Sequence, residues 1–303
     1  TFYAMRAARA YRKCDKILKF EGGFHGMNDY ALMSMAPKRP GNFPQAQPDS
    51  AGIPQKVQQE VLIAPFNDTD AAVALIRENQ EELAAVIVEA FQRLIPPAPG
   101  FLEALREVTE ETGVVLIFDE VVTGFRFAYG GAQEYYGVVP DMCSLGKVVG
   151  GGYPLAAIAG HEAIMAHFDA SRVKDDEFMQ QIGTLSGNPV AAAAGRATLR
   201  VLREPGAYDR LHVTGRKLME GITALLEKTG TKAQVVGEPP LFDVFFTEEE
   251  VRDYRTLTRV DNAAQAKFNA SLAARGILKG GNKYYVSLAH TDEDVAFTLN
   301  AVE

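Results

Sequence analysis

The stretch "VVLIFDEVVTGFR" (residues 114–126) decides the fold class of this chain. It opens with a continuous apolar run, Val114–Phe118, and the run ends in an acid, Asp119. The same pattern occurs upstream in "AAVIVEA" (84–90), where the acid is Glu89. A helical pattern, "PGFLEALREVTEETG" (99–113), lies between the two runs. Continuous apolar strands separated by helices predict an α/β fold with a mostly parallel sheet covered on both faces.

Further strands of this sheet are predicted on both sides of that stretch. "KILKF" (16–20) and "VLIAP" (61–65) precede it, and "MCSLG" and "LAAIAG" follow it before a long helix that begins near Pro189. Ligands of such sheets bind outside the carboxyl ends of the strands. In this chain those ends carry Phe24, His25, Glu89, Asp119 and Lys147.

The pattern changes near residue 205, which predicts two domains. Residues 1–204 are interpreted as a large α/β domain. Residues 205–303 alternate long helices with strands such as "LFDVFF", which predicts a smaller α+β domain at the C-terminus. The segments at both ends of the given sequence show a helical pattern that is cut off. The chain is therefore interpreted as a fragment whose large domain lacks its N-terminal part.

Composition narrows the classes of function. The 303 residues carry a formal charge of −8, which disfavours nucleic acid and anionic membrane surfaces as partners. No apolar run approaches membrane-spanning length. Two cysteines argue against a disulfide framework and favour a cytoplasmic location. The five histidines are dispersed, and no cluster has metal-ligand spacing, so no metal site is predicted.

Lys147 stands in an unusual setting, "SLGKVVGGGYP" (144–154), among small, uncharged residues and just before three glycines. A solvated loop lysine is the plain interpretation. The alternative is a lysine whose amine must reach a flat ligand, because glycines let the backbone approach a ligand closely. Burial in an apolar, glycine-lined cleft would also lower the lysine pKa and make the amine reactive.

Two other features have a plain and a functional interpretation. Asp119 could be a helix cap or loop anchor, or a carboxylate that faces a ligand. "GTLSGNP" (183–189) could be an ordinary helix cap or an anion-binding turn.

Taken together, Lys147, Asp119 and this turn suit one cofactor, pyridoxal phosphate. That cofactor needs a lysine amine for its Schiff base, a carboxylate facing its pyridine nitrogen, and donors for its phosphate. A carboxylate at Asp119 would keep the nitrogen protonated, and each pKa unit of that bias is worth about 1.4 kcal/mol.

The chain resembles the class III aminotransferases of pyridoxal-phosphate fold type I, and most closely their glutamate-1-semialdehyde aminomutase branch. The similarity covers essentially the whole chain. It is carried by the segments "RAARAYRKCDKILKFEGGFHG" (6–26), "IVEA" (87–90), "PPAPGFLEALRE" (96–107), "VLIFDEVVTGFRFAYGGAQEYYGVVPDMCSLGKVVGGGYP" (115–154), "GTLSGNPVAAAAG" (183–195) and "VSLAHTDED" (286–294).

The resemblance implies a role for each matching residue. Lys147 would form the Schiff base and move the proton, and Asp119 would pair with the pyridine nitrogen. Val121 and Phe24 would cover the two faces of the ring. His25 would lie beside Phe24, and Glu89 would support the site. Thr184 would reach the phosphate of the cofactor held by a partner subunit. A homodimer with shared active sites is therefore implied.

Two departures from the aminomutase branch concern its substrate. The branch carries an Asn in a loop after the third strand, where this chain has the shorter "EAFQRLIPPAPG" (89–100). The branch also carries a Glu where this chain has Asn282. We therefore expect an aminotransferase that moves an amino group from an amine or amino acid donor to a carbonyl acceptor. The alternatives are the aminomutase itself and a non-catalytic, interaction-only relative.

Overall fold

The computed structural model describes residues 1–281 and 283–303. They divide into two compact units, one of residues 1–93 with 97–200 and one of residues 94–96 with 201–303. The active-site residues that the sequence predicts all lie in the first unit.

The first unit is built on a six-stranded sheet with the order β2-β1-β3-β4-β5-β6. Every neighbouring pair is parallel except β5 and β6, which are antiparallel. The predicted mostly parallel α/β sheet is thereby confirmed. The strands are β1 (Lys16–Phe20), β2 (Val61–Ala64), β3 (Leu83–Val88), β4 (Val115–Glu120), β5 (Met142–Leu145) and β6 (Ala157–Gly160).

Helices cover this sheet because its central strands are apolar on both faces. Every residue of β3 and β4 is buried. Helix α1 (Phe2–Arg12) packs small side chains, such as Ala4 and Ala8, into the core cluster that contains Ile87 and Ile117. The remaining helices of this unit are α2 (Gln55–Gln59), α3 (Thr69–Asn79), α4 (Phe101–Thr112), α5 (Gly131–Tyr136), α6 (Glu162–Met165) and α7 (Pro189–Leu202), with 3-10 turns at Lys147–Gly150 and Ala166–Phe168.

The parallel register brings the predicted site residues to one edge of the sheet. Val88 pairs with Phe118, and Asp119 pairs with Ser144. Glu89, Asp119 and Lys147 therefore leave three adjacent strands at the same edge. The turn after β1, the next strand in the sheet, carries Phe24 and His25 there as well.

The second unit has the predicted α+β character. Its antiparallel sheet has the order β7-β8-β9 and packs with long helices around a core that includes Ile222 and Phe242. The third strand of this sheet is only two residues long, Tyr284–Tyr285. The elements are α8 (Ala207–Thr229), β7 (Gln234–Glu238), β8 (Leu241–Phe245), α9 (Tyr254–Leu257), α10 (Asn262–Ala274), β9 (Tyr284–Tyr285) and α11 (Asp292–Val302). Among all the helices of the described chain, none is long and apolar enough to cross a membrane.

Candidate active site

Asp119 is a buried carboxylate whose two oxygens are both held in place. Its side chain is 4% exposed. Oδ2 lies 2.8 Å from His25 Nδ1, while Oδ1 accepts hydrogen bonds from the Ser144 hydroxyl at 3.0 Å and the Val121 N–H at 3.1 Å. Burial by itself would raise the pKa of Asp119, but the hydrogen bond and charge of His25 and the Val121 N–H outweigh it and lower that pKa. Asp119 is therefore a fixed negative charge at the end of β4.

The turn after β1 places an aromatic ring and an imidazole side by side. Phe24 is 43% exposed, whereas His25 is completely buried. The Phe24 N–H donates to Glu89 Oε2 at 3.0 Å, which ties this turn to the end of β3. His25 Nε2 is buried and has no hydrogen-bond partner among the residues the structure describes. The hydrogen bond of the His25 ring to a described residue is therefore made at Nδ1, with Asp119.

Glu89 is the second carboxylate of this edge, and its electrostatics differ from those of Asp119. Burial raises the pKa of Glu89, His25 opposes that shift, and the charge of Asp119 adds to it. Two neighbouring carboxylates with pKa values moved in opposite directions are typical of sites that handle protons.

Lys147 lies one residue beyond the end of β5, after Gly146, and begins a 3-10 turn with left-handed backbone (φ 49°). The sequence predicted a buried amine, but Lys147 is exposed. Its neighbours in sequence are small: Gly146 precedes it, and Gly150–Gly152 end the 3-10 turn that it begins. A Cβ on Gly146 would lie 3.2 Å from Val121 Cγ1, so the residue before Lys147 packs directly against Val121.

In the turn "GTLSGNP" the residue that caps the following helix is not one of the hydroxyl residues. Asn188, and no hydroxyl, caps α7 by accepting from the N–H groups of Val190 and Ala191 at 2.9 and 3.1 Å. Thr184 lies on the exposed turn before it. The plain interpretation of the segment as a cap therefore applies to Asn188, and the Thr184 hydroxyl is left for another role.

Sequence reasoning missed the side chains that hold the turn before Phe24. Lys19, on buried β1, donates to the carbonyl oxygens of Gly23 (3.0 Å) and Met33 (2.5 Å). Gln92 and Arg93 donate to other carbonyls of the same turn. A lysine inside a buried strand was a usable signal, because such an amine must find acceptors.

These residues fit pyridoxal phosphate. A buried carboxylate with a lowered pKa, Asp119, suits a protonated ring nitrogen. The half-exposed Phe24 offers a flat apolar surface, and Lys147 is exposed. No group of three or more His, Cys, Asp or Glu suited to a metal ion occurs in residues 1–281 and 283–303. The fold and these strand ends define an α/β enzyme with an acid, an imidazole and a lysine at one sheet edge.

Comparison with known proteins identifies the family. The aminotransferase class-III family matches residues 2–290. The chain belongs to this family and is a pyridoxal-phosphate-dependent enzyme of fold type I. The predicted resemblance and the predicted enzyme class are confirmed.

Relatives from both branches of the family are similar to this chain. Glutamate-1-semialdehyde 2,1-aminomutase from Methanosphaera stadtmanae is 40% identical over 309 residues, which cover 100% of this chain and 70% of that protein. The crystal structure of an omega-transaminase from Sphaerobacter thermophilus is 35% identical with a TM-score of 0.92, and 99% of this chain covers 70% of it. A glutamate-1-semialdehyde aminomutase from Pseudomonas aeruginosa, in complex with PMP, is 26% identical with a TM-score of 0.83, and 99% of this chain covers 67% of it.

The buried Lys19 amine makes stability depend on pH. Burial lowers the pKa of Lys19 from its ordinary value of 10.5 to about 7, although the charges of Glu89 and Asp49 oppose that shift. Between pH 7 and 10.5 the unfolded chain therefore holds a proton at Lys19 that the folded chain has released. The titration of Lys19 therefore makes the free energy of unfolding of the protein rise with pH between pH 7 and 10.5.

We expect a Lys19→Met variant to lack this pH dependence. The unfolding free energy of the wild type minus that of the variant should become more positive from pH 7 to pH 9, by at most about 1.4 kcal/mol per pH unit. Denaturant titrations of both proteins at several pH values measure it. A difference that stays constant over this range would show that Lys19 does not titrate there.

Proposed function

We propose that this enzyme is an aminotransferase that transfers an amino group from an amine or amino acid to a carbonyl acceptor, with pyridoxal phosphate attached to Lys147. The observation that carries the proposal is the fixed carboxylate of Asp119, bonded to His25, one strand away from the exposed amine of Lys147. Pyridoxal phosphate, when bound, condenses with amines and withdraws electrons from the carbon that loses or gains a proton.

The proposed roles of the protein residues follow from their charge and exposure. Asp119 would accept a hydrogen bond from the pyridine nitrogen and keep it protonated, because its own pKa is lowered. Phe24 and Val121, both accessible, would cover the two faces of the ring. His25 would orient Asp119, and Glu89 would hold the backbone of Phe24.

Lys147 would perform two tasks with one amine. It would hold the cofactor covalently and, when the substrate amine displaces it, carry the proton between carbons. The exposure of Lys147 supports these tasks, since an exposed amine is accessible to a cofactor and a substrate.

We further propose a homodimer in which Thr184 binds the phosphate held by the partner subunit. Apolar side chains next to Thr184 are strongly exposed in the single chain: Ile182 by 80%, Leu185 by 63% and Val190 by 57%. An apolar patch of this kind is typical of a subunit interface. The proposal places the enzyme in the cytoplasm, which the two unpaired cysteines support.

The attachment point of the cofactor is directly testable. Reduction of the purified protein with borohydride in the presence of pyridoxal phosphate should fix the cofactor on Lys147, as peptide mass spectrometry can show. A Lys147→Ala variant should lose this adduct and remain folded, whereas Lys174→Ala, at another exposed lysine, should retain it. An adduct on a different lysine in the wild type would refute the assignment.

The substrate-facing polar groups favour transamination over isomerisation. Isomerising a semialdehyde requires that an intermediate with two amines be held, and the aminomutase branch places an Asn and a Glu for that purpose. Here the loop has no Asn, and the Glu position is occupied by Asn282, which lies outside the described residues. The apolar side chains of the loop, Phe91, Leu94 and Ile95, are buried, so they offer no exposed apolar surface to a substrate.

We therefore expect poor aminomutase activity. Loss of one hydrogen bond to a charged amine costs about 1.5–3 kcal/mol, so isomerisation should be at least about tenfold weaker than in an aminomutase that keeps the Asn and the Glu. The assay is conversion of glutamate semialdehyde to 5-aminolevulinate without an added donor, run beside a screen of amine donors. Efficient isomerisation, with no donor accepted in the screen, would contradict the proposed function.

A further inference from the structure

Three consecutive carbonyls before the predicted ring-covering residue each accept a hydrogen bond from a different side chain. Gln92 Nε2 donates to Glu21 O at 2.8 Å, Arg93 Nε donates to Gly22 O at 2.6 Å, and Lys19 Nζ donates to Gly23 O at 3.0 Å. Residues 21–23 are all buried, and Phe24 follows them directly. The backbone of this turn is thereby fixed at every residue.

The same side chains attach the turn to a second segment. Arg93 also donates from Nη2 to Met35 O at 2.7 Å, and Lys19 also donates to Met33 O at 2.5 Å. Each of these two side chains therefore bridges the turn to residues 33–35. Side chains that bridge two pieces of backbone restrict movement of both.

The turn is in direct contact with the imidazole of His25. A Cβ on Gly23 would lie 3.0 Å from His25 Nε2 and 3.1 Å from Gln92 Oε1. The His25 ring is therefore confined between Asp119, which is bonded to Nδ1, and the Gly23 backbone with the Gln92 amide on the Nε2 side. A shift of the turn by a few tenths of an ångström would displace the ring against Asp119.

The loop that supplies Gln92 and Arg93 has strained backbone. Arg93 and Leu94 are consecutive non-glycine residues in the left-handed region, with φ of 54° and 72°. Such conformations persist only where the surroundings enforce them, and they cluster at functional sites. Here the enforcing contacts include the two hydrogen bonds of Arg93.

We propose that Gln92, Arg93 and Lys19 are positioning residues that hold Phe24 and His25 against the cofactor ring and against Asp119. The inference rests on the proposed function, because it needs a cofactor ring at Phe24. In this proposal the loop after β3, which is shorter than in the aminomutase branch, supports the residues that contact the cofactor. The loop then fixes the turn that carries Phe24.

The test compares variants that lose the same kind of hydrogen bond at different places. Gln92→Met removes the bond to Glu21 O, and Gln58→Met, on α2, removes a matched side-chain bond of 2.6 Å to Ala46 O. Arg93→Lys is a second, independent variant, with Arg12→Lys as its control, since Arg12 donates to Gln80 O at 2.8 Å. If Gln92→Met fails to fold, the arginine pair decides.

Three quantities are measured on each protein: the unfolding midpoint, the Kd of pyridoxal phosphate for the apo-protein, and the visible circular dichroism of the bound cofactor. We expect Gln92→Met and Arg93→Lys to raise that Kd about tenfold or more and to change the dichroism band. The controls should lose comparable stability and change neither the Kd nor the band.

Each result decides the proposal. Variants at Gln92 and Arg93 that lose stability but keep the wild-type Kd and dichroism would overturn it, because these side chains would then only satisfy buried carbonyls. Wild-type protein in which borohydride fixes no cofactor on Lys147 would overturn the proposed function and this inference with it. Wild type labelled at Lys147, with unchanged variants, would overturn the inference alone.

Discussion

The rest of the site depends on the buried pair of Asp119 and His25. A carboxylate that is 4% exposed is costly unless its oxygens are bonded, and here His25, Ser144 and the Val121 N–H provide those bonds. Each partner comes from a different place in the chain: the turn after β1, the neighbouring strand β5, and the residue two positions further along. The sheet register and the turn before Phe24 must both be correct for the charge to be held.

The same constraint explains why the neighbouring acid, Glu120, has a different role. Its carboxylate accepts from the Ala132 N–H at 2.5 Å, the Thr123 hydroxyl at 3.0 Å and the Gln133 side chain at 3.0 Å. Glu120 therefore anchors the loop that leads into α5. Of two adjacent strand-end acids, Asp119 is bonded to His25 and Ser144, and Glu120 fixes the following loop.

The sequence predicted the sheet and the residues at its edge, and it could not predict how these are held. β1 coincides with the predicted strand "KILKF", because a run of apolar residues between turn signals has a local cause. The bond between His25 and Asp119 spans 94 positions and depends on strand order, which no local pattern encodes. Of the two interpretations of Lys147, the one with a buried amine is not borne out, because the residue is exposed. Gln92 and Arg93 were passed over because their loop reads as largely apolar.

The most direct test of this account is turnover by an Asp119→Asn variant, with Glu120→Gln as the matched neighbour. The amide retains the shape of the side chain but not the charge that would pair with a protonated ring nitrogen. Asp119→Asn should still bind pyridoxal phosphate. Its transamination rate should fall by several powers of ten, because a preorganised charge beside the ring nitrogen is lost. Glu120→Gln should stay within about tenfold of the wild-type rate. Turnover by Asp119→Asn close to that of the wild type would contradict the account.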